Sequence, residues 1–277
     1  MTENITNTQY SQPMPTPNPD IKSLDRLAML LENKVAVIYG AGGPIGGAVA
    51  RAFAREGARV FLAGRTKAKL DKVADEIRSN GGVADTAAVD ALDERTVDEY
   101  VDAVVEQAEY IDISFNLISY GDVQGPLTEI SVEDFLQPIT SAMRTQFLTT
   151  RAAARHMVKR GSGVILAFGG DGAQTLPGLG GFKVALDAIE GLRRQWACEL
   201  GQHGIRVVTL KTGGITETLP DNVPGRDEIV AGIQQAALLN WTATLADVGN
   251  VAAFVASDLA RTMTATEVNI SCGALMD

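Results

Sequence analysis

Short runs of apolar and β-branched residues alternate with longer stretches of helical periodicity along most of this chain. Continuous apolar runs are typical of strands buried on both faces, whereas apolar residues three and four positions apart are typical of helices with one covered face. We therefore predict strands over residues 34–39, 58–63, 83–89, 111–118, 163–168 and 205–210, and helices over 44–56, 66–79, 93–108, 131–158 and 181–201.

The regular alternation of strand and helix predicts an α/β fold with a doubly wound parallel sheet, covered by helices on both faces. No charge block or low-complexity linker interrupts the chain after residue 34, so we predict a single domain over 34–277. Ligands of such sheets bind at the carboxyl ends of the strands. The segments that follow the strands are therefore the first candidates for a site, and they begin at Gly40, Gly64, Asp90, Asn116, Gly169 and Lys211.

The first part of the chain has a different composition. Residues 1–20 are rich in Thr, Asn, Gln and Pro and poor in aliphatic side chains, so we predict a disordered tail there. Over 21–33, apolar residues recur at helical spacing, which predicts a short helical extension. This extension could be a docking helix or only a spacer.

Charge and composition exclude several classes of function. The net charge of −10 and the scattered Lys and Arg residues disfavour binding to nucleic acid or to an anionic membrane. The two cysteines, Cys198 and Cys272, and the two histidines have no metal-ligand spacing, so we expect no metal site. The chain has neither a leader pattern nor an apolar stretch long enough to span a bilayer, so a cytoplasmic location is expected.

A glycine-rich turn over residues 40–47 joins the first predicted strand to the first predicted helix. Such a turn lets the backbone approach a pyrophosphate, whose charge is favoured at a helix N-terminus, as in Rossmann-type dinucleotide sites. The alternative is a tight turn that only allows close helix packing. Pro44 supplies no N–H to a phosphate, although it fits the first turn of a helix. The candidate contacts are Gly40, Gly42, Gly43, Ile45 and Gly46.

The end of the second predicted strand indicates which dinucleotide would bind. A NAD site usually offers a carboxylate to the ribose at this place, but the sequence has Gly64-Arg65-Thr66 and no acid before Asp71. The forked donors of Arg65 suit a 2′-phosphate instead. We therefore expect NADP(H) to be preferred over NAD(H), the alternative being that Arg65 is a solvated loop residue.

From about residue 31 to the end, the chain resembles the short-chain dehydrogenase/reductase family. The residues that carry the resemblance are Gly40 to Gly46 for its TGxxxGIG turn, Asp112 to Ser119 for its DILVNNAG segment, and the landmarks Gly125-Pro126-Leu127, Glu190-Gly191-Leu192 and Ala256-Ser257-Asp258. The resemblance implies a nicotinamide-dependent oxidoreductase with a small-molecule substrate. It also implies that Asp90 faces the adenine, that Asn116 belongs to the cofactor site, and that Gly213 lies in the turn beneath the nicotinamide.

The same resemblance places unusual residues at the catalytic positions. The family's proton-donating tyrosine falls on Phe182, its lysine on Leu186 and its serine on Gly169 or Gly170, while its helix asparagine falls near Ser141-Ala142. Phenylalanine has no proton to donate, and leucine cannot lower the pKa of a neighbour. General acid–base assistance is worth about 10² to 10⁴ in rate, so the standard mechanism is predicted to be absent.

Other side chains are weak candidates for a replacement. They are Asp171 after the fifth strand, Lys211 after the sixth, Tyr120 and Asp122 after the fourth, and Lys183 beside Phe182. The alternative for Asp171 is a turn residue, because Asp171-Gly172 is favourable turn chemistry, and Lys183 points about 100° around the helix from Phe182. The sequence alone therefore leaves the catalytic residue open.

Three functions remain in competition. The preferred one is an NADP(H)-dependent oxidoreductase that acts on a small carbonyl or alcohol by a non-standard mechanism. The alternatives are a non-catalytic binding or scaffold subunit and a non-redox enzyme, such as an isomerase, dehydratase or cyclase. Family members commonly pair through the two long helices, so a homodimer or homotetramer is expected. The segment 216–240 occupies the family's substrate-loop region and is predicted to cover the pocket.

Overall fold

The computed structural model describes residues 29–121, 123–169, 175–223 and 225–276. They form one α/β domain around a seven-stranded parallel sheet with the strand order β3-β2-β1-β4-β5-β6-β7. The strands are β1 (Val35–Tyr39), β2 (Arg59–Gly64), β3 (Val83–Ala88), β4 (Ile113–Asn116), β5 (Gly163–Phe168), β6 (Ile205–Lys211) and β7 (Thr266–Asn269). The helices are α1 (Pro44–Arg55), α2 (Lys67–Ser79), α3 (Glu94–Ala108), α4 (Val132–Arg160), α5 (Phe182–Leu200), α6 (Arg226–Ala236) and α7 (Leu245–Ala256).

The central strands are apolar on both faces because both faces are covered. In β1, Ala36 and Ile38 join the core beneath α1, α2 and α7. The alternate residues Val35 and Val37 join a second core beneath α3, α4 and α5. Successive strand side chains point to opposite faces, so each layer of helices receives every second residue.

Local signals in the sequence fix where several helices begin and end. Ser131 caps α4 by accepting a hydrogen bond from the backbone N–H of Asp134, and α4 ends at Gly161 in the left-handed conformation. Thr244 and Asp247 form a reciprocal capping box at the start of α7. These caps satisfy backbone groups that would otherwise lack partners.

The predicted doubly wound fold is confirmed, while several boundaries differ. Residues 30–33 form a turn, so the helical extension predicted over 21–33 does not reach its stated end, and its remainder lies outside the described residues. The fourth strand is shorter than predicted. The sequence reading also missed β7, α6 and α7. No helix among the described residues is long and apolar enough to cross a membrane.

The site lies where the strand order reverses. From β1, the chain passes outward to β2 and β3 on one side, then returns to β4 on the other. The connections after β1 and β4 therefore diverge and leave a crevice at the carboxyl ends of these strands.

Candidate functional site

Two connected cavities form a groove along the carboxyl ends of the strands. The first, of 410 Å³, lies toward β2 and β3, and the second, of 670 Å³, lies toward β5 and β6. The residues that line both are Gly40, Gly43, Leu117, Ile118, Ser119 and Tyr120. The turn after β1 and the segment after β4 therefore form the middle of one continuous groove.

The glycine turn closes so tightly that two positions exclude a side chain. Gly40 has φ 75°, and a Cβ there would overlap the carbonyl oxygen of Leu117. A Cβ at Gly46 would overlap the carbonyl oxygen of Gly40. Pro44 is the first residue of α1, where its missing N–H costs no intrahelical hydrogen bond. The turn thus presents bare backbone and the N-terminus of α1 to the groove, an arrangement that favours an anion.

The first cavity contains two cations that have no partner among the described residues. Arg65 and Lys69 are exposed and line this cavity, and neither side chain makes a hydrogen bond or ion pair with any described residue. Thr66, the N-cap of α2, makes no side-chain capping bond. Asp90 also lines the cavity, and its Oδ1 accepts a hydrogen bond from the N–H of Leu92 at 3.0 Å. Positive charge and uncommitted donors therefore gather at this end of the groove.

The second cavity has an apolar wall. Its apolar lining side chains are Pro44, Ile45, Leu117, Ile118, Phe168, Leu179, Phe182, Leu186 and Leu275. The rings of Tyr120 and Phe182 lie with centroids 6.4 Å apart and planes at 41°. No charged side chain lines this cavity among the described residues. Phe182 and Leu186 thus stand at the cavity, but as wall residues without proton-transfer chemistry.

Tyr120 approaches the position predicted for the family's serine. Gly169 has φ 129°, and a Cβ placed there would lie 3.4 Å from the Tyr120 hydroxyl oxygen and 3.0 Å from Leu186. The Tyr120 hydroxyl donates a hydrogen bond to the carbonyl oxygen of Phe168 at 2.8 Å. Burial raises the pKa of Tyr120 well above its ordinary value. Its proton is therefore both engaged and held tightly, which disfavours Tyr120 as an acid toward a ligand.

Asn116 does not line the groove with its side chain. It is buried, its Nδ2 donates to the hydroxyl of Thr149 at 3.1 Å, and its Oδ1 accepts from the N–H of Ile118 at 3.0 Å. Thr149 in turn donates to the carbonyl oxygen of Thr145 in α4. Asn116 therefore fixes the segment from Leu117 onward, which forms the floor of the groove, instead of reaching a ligand itself.

The other candidate residues are divided between the cavity and its surroundings. Gly213 lines the second cavity, where a Cβ would lie 2.6 Å from the Cβ of Ala274. Lys211 is buried and does not line either cavity, because its ammonium pairs with Glu267 at 3.0 Å. Lys183 pairs with Asp187 one turn along α5. Gly170, Asp171 and Asp122 lie outside the described residues.

Sequence reasoning did not propose three polar groups of the groove as site residues. Lys69 lies in the first turn of α2. Nothing in the sequence distinguishes it from the other lysines of that helix as a groove residue. Ser119 and Thr212 line the second cavity, and their hydroxyls make no hydrogen bond with a described residue. No group of three or more His, Cys, Asp or Glu side chains is placed to hold a metal within the described ranges.

A cavity of 850 Å³ lies at the opposite edge of the sheet, at the amino ends of the strands. Its lining includes Arg51 and Arg59, which pair with Glu76 and Asp85 at 2.9 Å each. These cations are committed to protein partners, unlike Arg65 on the other side. We therefore place the functional site at the carboxyl ends.

Comparison with known proteins agrees with this geometry. The family model described as enoyl-(acyl carrier protein) reductase matches residues 40–274. The uncharacterized oxidoreductase YxbG of Bacillus subtilis is 31% identical over 251 residues, which cover 88% of this chain and 92% of that protein. The chain belongs to the short-chain dehydrogenase/reductase family. This is a family of oxidoreductases that bind nicotinamide cofactors.

Other members of the short-chain dehydrogenase/reductase family are similarly related. The 7α-hydroxysteroid dehydrogenase of Clostridium sardiniense is 30% identical over 235 residues, covering 82% of this chain and 88% of that protein. A short-chain dehydrogenase/reductase structure from Mycobacterium ulcerans has a TM-score of 0.79 at 24% identity and covers 88% of this chain and 90% of its own. A NAD⁺-bound xylitol dehydrogenase has a TM-score of 0.79 at 23% identity, with 87% and 98% covered. These structures support the fold alone.

Proposed function

We propose that the groove binds NADP(H) and that the protein is an oxidoreductase acting on a small carbonyl or alcohol without the usual tyrosine and lysine. The observation that carries the proposal is the pair of uncommitted cations, Arg65 and Lys69, beside the glycine turn. A 2′-phosphate would supply their missing anionic partner. The wider family assignment supports the oxidoreductase chemistry.

The residues present fit a dinucleotide. The turn at Gly40 and Gly46 leaves bare backbone where a pyrophosphate would lie, and Asp90 lines the first cavity, where the adenine would lie. Gly213 and Ile45 line the second cavity, where the nicotinamide would lie. The xylitol dehydrogenase of similar fold is bound to NAD⁺ in its own structure, which supports a dinucleotide in this groove.

The chain's own residues would bind and orient the reactants and exclude water. When bound, the nicotinamide supplies or accepts a hydride. The apolar wall that includes Phe182 and Leu186 would keep water from the reacting carbon, while the hydroxyls of Ser119 and Thr212 could orient polar groups. None of the described side chains lining the second cavity is an uncommitted acid or base.

Removing either uncommitted cation should weaken NADPH binding selectively. A charge-assisted hydrogen bond is worth about 1.5–3 kcal/mol, so Arg65→Ala and Lys69→Ala should each raise the dissociation constant of NADPH by about 10- to 100-fold. The dissociation constant of NADH should change much less because NADH has no 2′-phosphate. Isothermal titration calorimetry with both nucleotides measures the difference.

Lys72→Ala is the matched control for this experiment. Lys72 is an exposed lysine of α2 that does not line the groove, so its loss changes the net charge equally without touching the proposed phosphate site. It should leave both dissociation constants within about a factor of two. Equal weakening by all three variants would show a general charge effect and remove the argument for NADP(H) preference.

A second candidate is a binding subunit without turnover. The specific observation in its favour is that Phe182 and Leu186 join Tyr120 in a hydrophobic cluster at the predicted catalytic positions. Nucleotide binding with no NADPH oxidation across a broad panel of carbonyls, together with stable association with an active homologue, would favour it. The non-redox alternative loses one of its candidates, because Lys211 is buried in an ion pair away from the groove.

We also propose that the protein forms a homodimer or homotetramer through α4 and α5. These helices pack on each other, and their outer surface exposes Phe147 and Val184, each 43% accessible. Phe147 stacks on Trp196 with centroids 5.8 Å apart. Gly191 lies seven residues after Val184 on the same exposed side, and a Cβ added to it would have no neighbour within 4 Å. A second copy could approach this surface closely.

Gly191→Arg should therefore dissociate the assembly. A long cation at the centre of a close helix contact would be desolvated without a partner, which costs several kcal/mol. Multi-angle light scattering at micromolar concentration should show the monomer mass for this variant and a multiple of it for the wild type. Gly232→Arg, at an exposed position of α6 with no neighbour within 4 Å, is the control and should keep the wild-type mass.

A further inference from the structure

We infer that the second cavity binds a planar quinoid ring and that a quinone is the hydride acceptor of this protein. The inference deepens the proposed function and rests on it for the reductant, a reduced nicotinamide. It starts from the chemistry of the cavity wall. Tyr120 and Phe182 form a tilted aromatic pair on one side, and Phe168 adds a third ring to the lining.

Aromatic rings favour a flat ligand of complementary electron distribution. The face of a tyrosine or phenylalanine ring carries negative potential, so an electron-poor ring packs well against it. The remaining wall is aliphatic, with Ile45, Leu179 and Leu186 among its members. No charged side chain lines the cavity in the part of the chain that the structure describes, so this part of the wall offers no charged partner to an anionic or a cationic acceptor.

The hydroxyl groups of the wall are suited to neutral oxygen atoms. Ser119 and Thr212 line the cavity without a hydrogen-bond partner among the described residues. Each can donate one hydrogen bond to a carbonyl oxygen. A quinone has neutral carbonyl oxygens at its periphery and an apolar ring between them, which matches this distribution of polar and apolar groups.

Among the described residues, no side chain of the cavity wall is an uncommitted acid, and this absence also selects this class of acceptor. Hydride addition to a simple ketone leaves an alkoxide, which is strongly basic and needs a proton from an acid in the transition state. Hydride addition to a quinone leaves a hydroquinone monoanion, a phenolate-like species whose conjugate acid has a pKa of about 10, as for tyrosine. Water can protonate it after the hydride has moved.

The reaction balances without an acid from the protein. The quinone accepts a hydride, that is, two electrons and one proton, from the reduced nicotinamide, which becomes oxidised. One further proton from water completes the hydroquinone. Tyr120 keeps its own proton throughout, because its hydroxyl donates a hydrogen bond to the carbonyl oxygen of Phe168 and not to the ligand. Phe182 and Leu186 are then components of the ring-binding wall and do not substitute for the family's acid–base pair.

Binding tests the inference independently of turnover. We expect 1,4-naphthoquinone to bind to the NADP⁺-loaded protein in a calorimetric titration, and cyclohexanone not to bind detectably. Phe182→Leu keeps an apolar side chain but removes the ring, so it should weaken naphthoquinone binding by about 2- to 10-fold. Phe254→Leu, on the exposed surface of α7, is the control and should have no effect. Unchanged affinity in Phe182→Leu, or no binding of naphthoquinone, would overturn the proposal.

Turnover provides the second test. NADPH oxidation by naphthoquinone should exceed oxidation by cyclohexanone by at least about 10²-fold in kcat/KM, the size of the missing acid–base assistance. The quinone rate should be independent of pH between about 6 and 8.5, with a solvent isotope effect near one. A rate that changes with pH in this range, or a large solvent isotope effect, would show that a side chain donates the proton. NADPH binding without quinone reduction would reject the acceptor while leaving the cofactor proposal intact.

Discussion

Gly46→Ala is expected to abolish NADPH binding and to destabilise the domain. A Cβ at this position would overlap the carbonyl oxygen of Gly40, so either the turn or the start of α1 must move. Overpacking of this kind typically costs about 1–3 kcal/mol of unfolding free energy. Movement of the turn would also displace the backbone that faces the proposed pyrophosphate. Calorimetry should show at least about a 100-fold loss of NADPH affinity, and urea denaturation should show the loss of stability.

Gly43→Ala separates this steric effect from a general glycine effect. Gly43 has φ −84°, which any residue adopts, and a Cβ there would lie at an ordinary 3.4 Å from the carbonyl oxygen of Gly40. The unfolding free energy of Gly43→Ala should remain within about 0.5 kcal/mol of that of the wild type. If Gly46→Ala binds NADPH as tightly as the wild type, the groove proposed here is not the dinucleotide site.

The sequence predicted the framework of the site because that framework depends on local patterns. Apolar runs located the six strands up to β6, and the glycine turn after β1 indicated where an anion could lie. The position of Arg65 at the end of β2 followed from the same pattern, and the structure places it in the first cavity. The missed elements, α6, α7 and β7, lie beyond the regular alternation on which the prediction depended.

The roles of several residues could not be predicted, because these roles depend on contacts between segments that are distant in the sequence. Lys211 follows β6 at the carboxyl edge, yet Glu267 in β7 holds it in a buried ion pair. Tyr120 and Gly169 come from different loops and meet only in the fold. The side chain of Asn116 could hydrogen-bond a ligand, but its amide group donates a hydrogen bond to Thr149 of α4 instead. The sequence pattern predicts which residues follow a strand. The role of each of those side chains depends on the residue that it contacts in the folded protein.

A buried cluster of charges connects α5 to the edge of the sheet. The Nε of Arg193 donates to Glu190 at 2.7 Å, and its Nη2 lies 3.9 Å from Glu267, which also pairs with Lys211 at 3.0 Å. Burial raises the pKa of Glu190, although the hydrogen bond from Arg193 opposes this effect. Partial burial alone would raise the pKa of Glu267, but the nearby cations Lys211 and Arg193 outweigh this effect, so its pKa is lowered.

The two shifts have opposite signs, so Glu190 and Glu267 contribute opposite pH dependences to the stability of the domain. Stability contributed by a group with a raised pKa is fully present below its ordinary value, 4.5 for glutamate, and is lost as the pH rises through the folded-state pKa. The contribution from Glu267 has the opposite sign, because it is present above 4.5 and is lost as the pH falls. Glu190→Gln has the same shape but cannot ionise, so it should remove the loss of stability that Glu190 causes as the pH rises.

Arg193→Ala should therefore destabilise the domain strongly, whereas Glu190→Gln should not. Removing Arg193 leaves buried acidic groups without one of their cations, which typically costs about 3–5 kcal/mol. The unfolding free energy of Glu190→Gln relative to that of the wild type should rise as the pH increases from 4.5 toward about 8. Urea denaturation at several pH values measures both effects. Arg194→Ala, its exposed neighbour on α5, should stay within about 0.5 kcal/mol of the wild type. Equal effects of the two arginine variants would mean that the buried cluster does not stabilise the fold, since only Arg193 contacts its carboxylates.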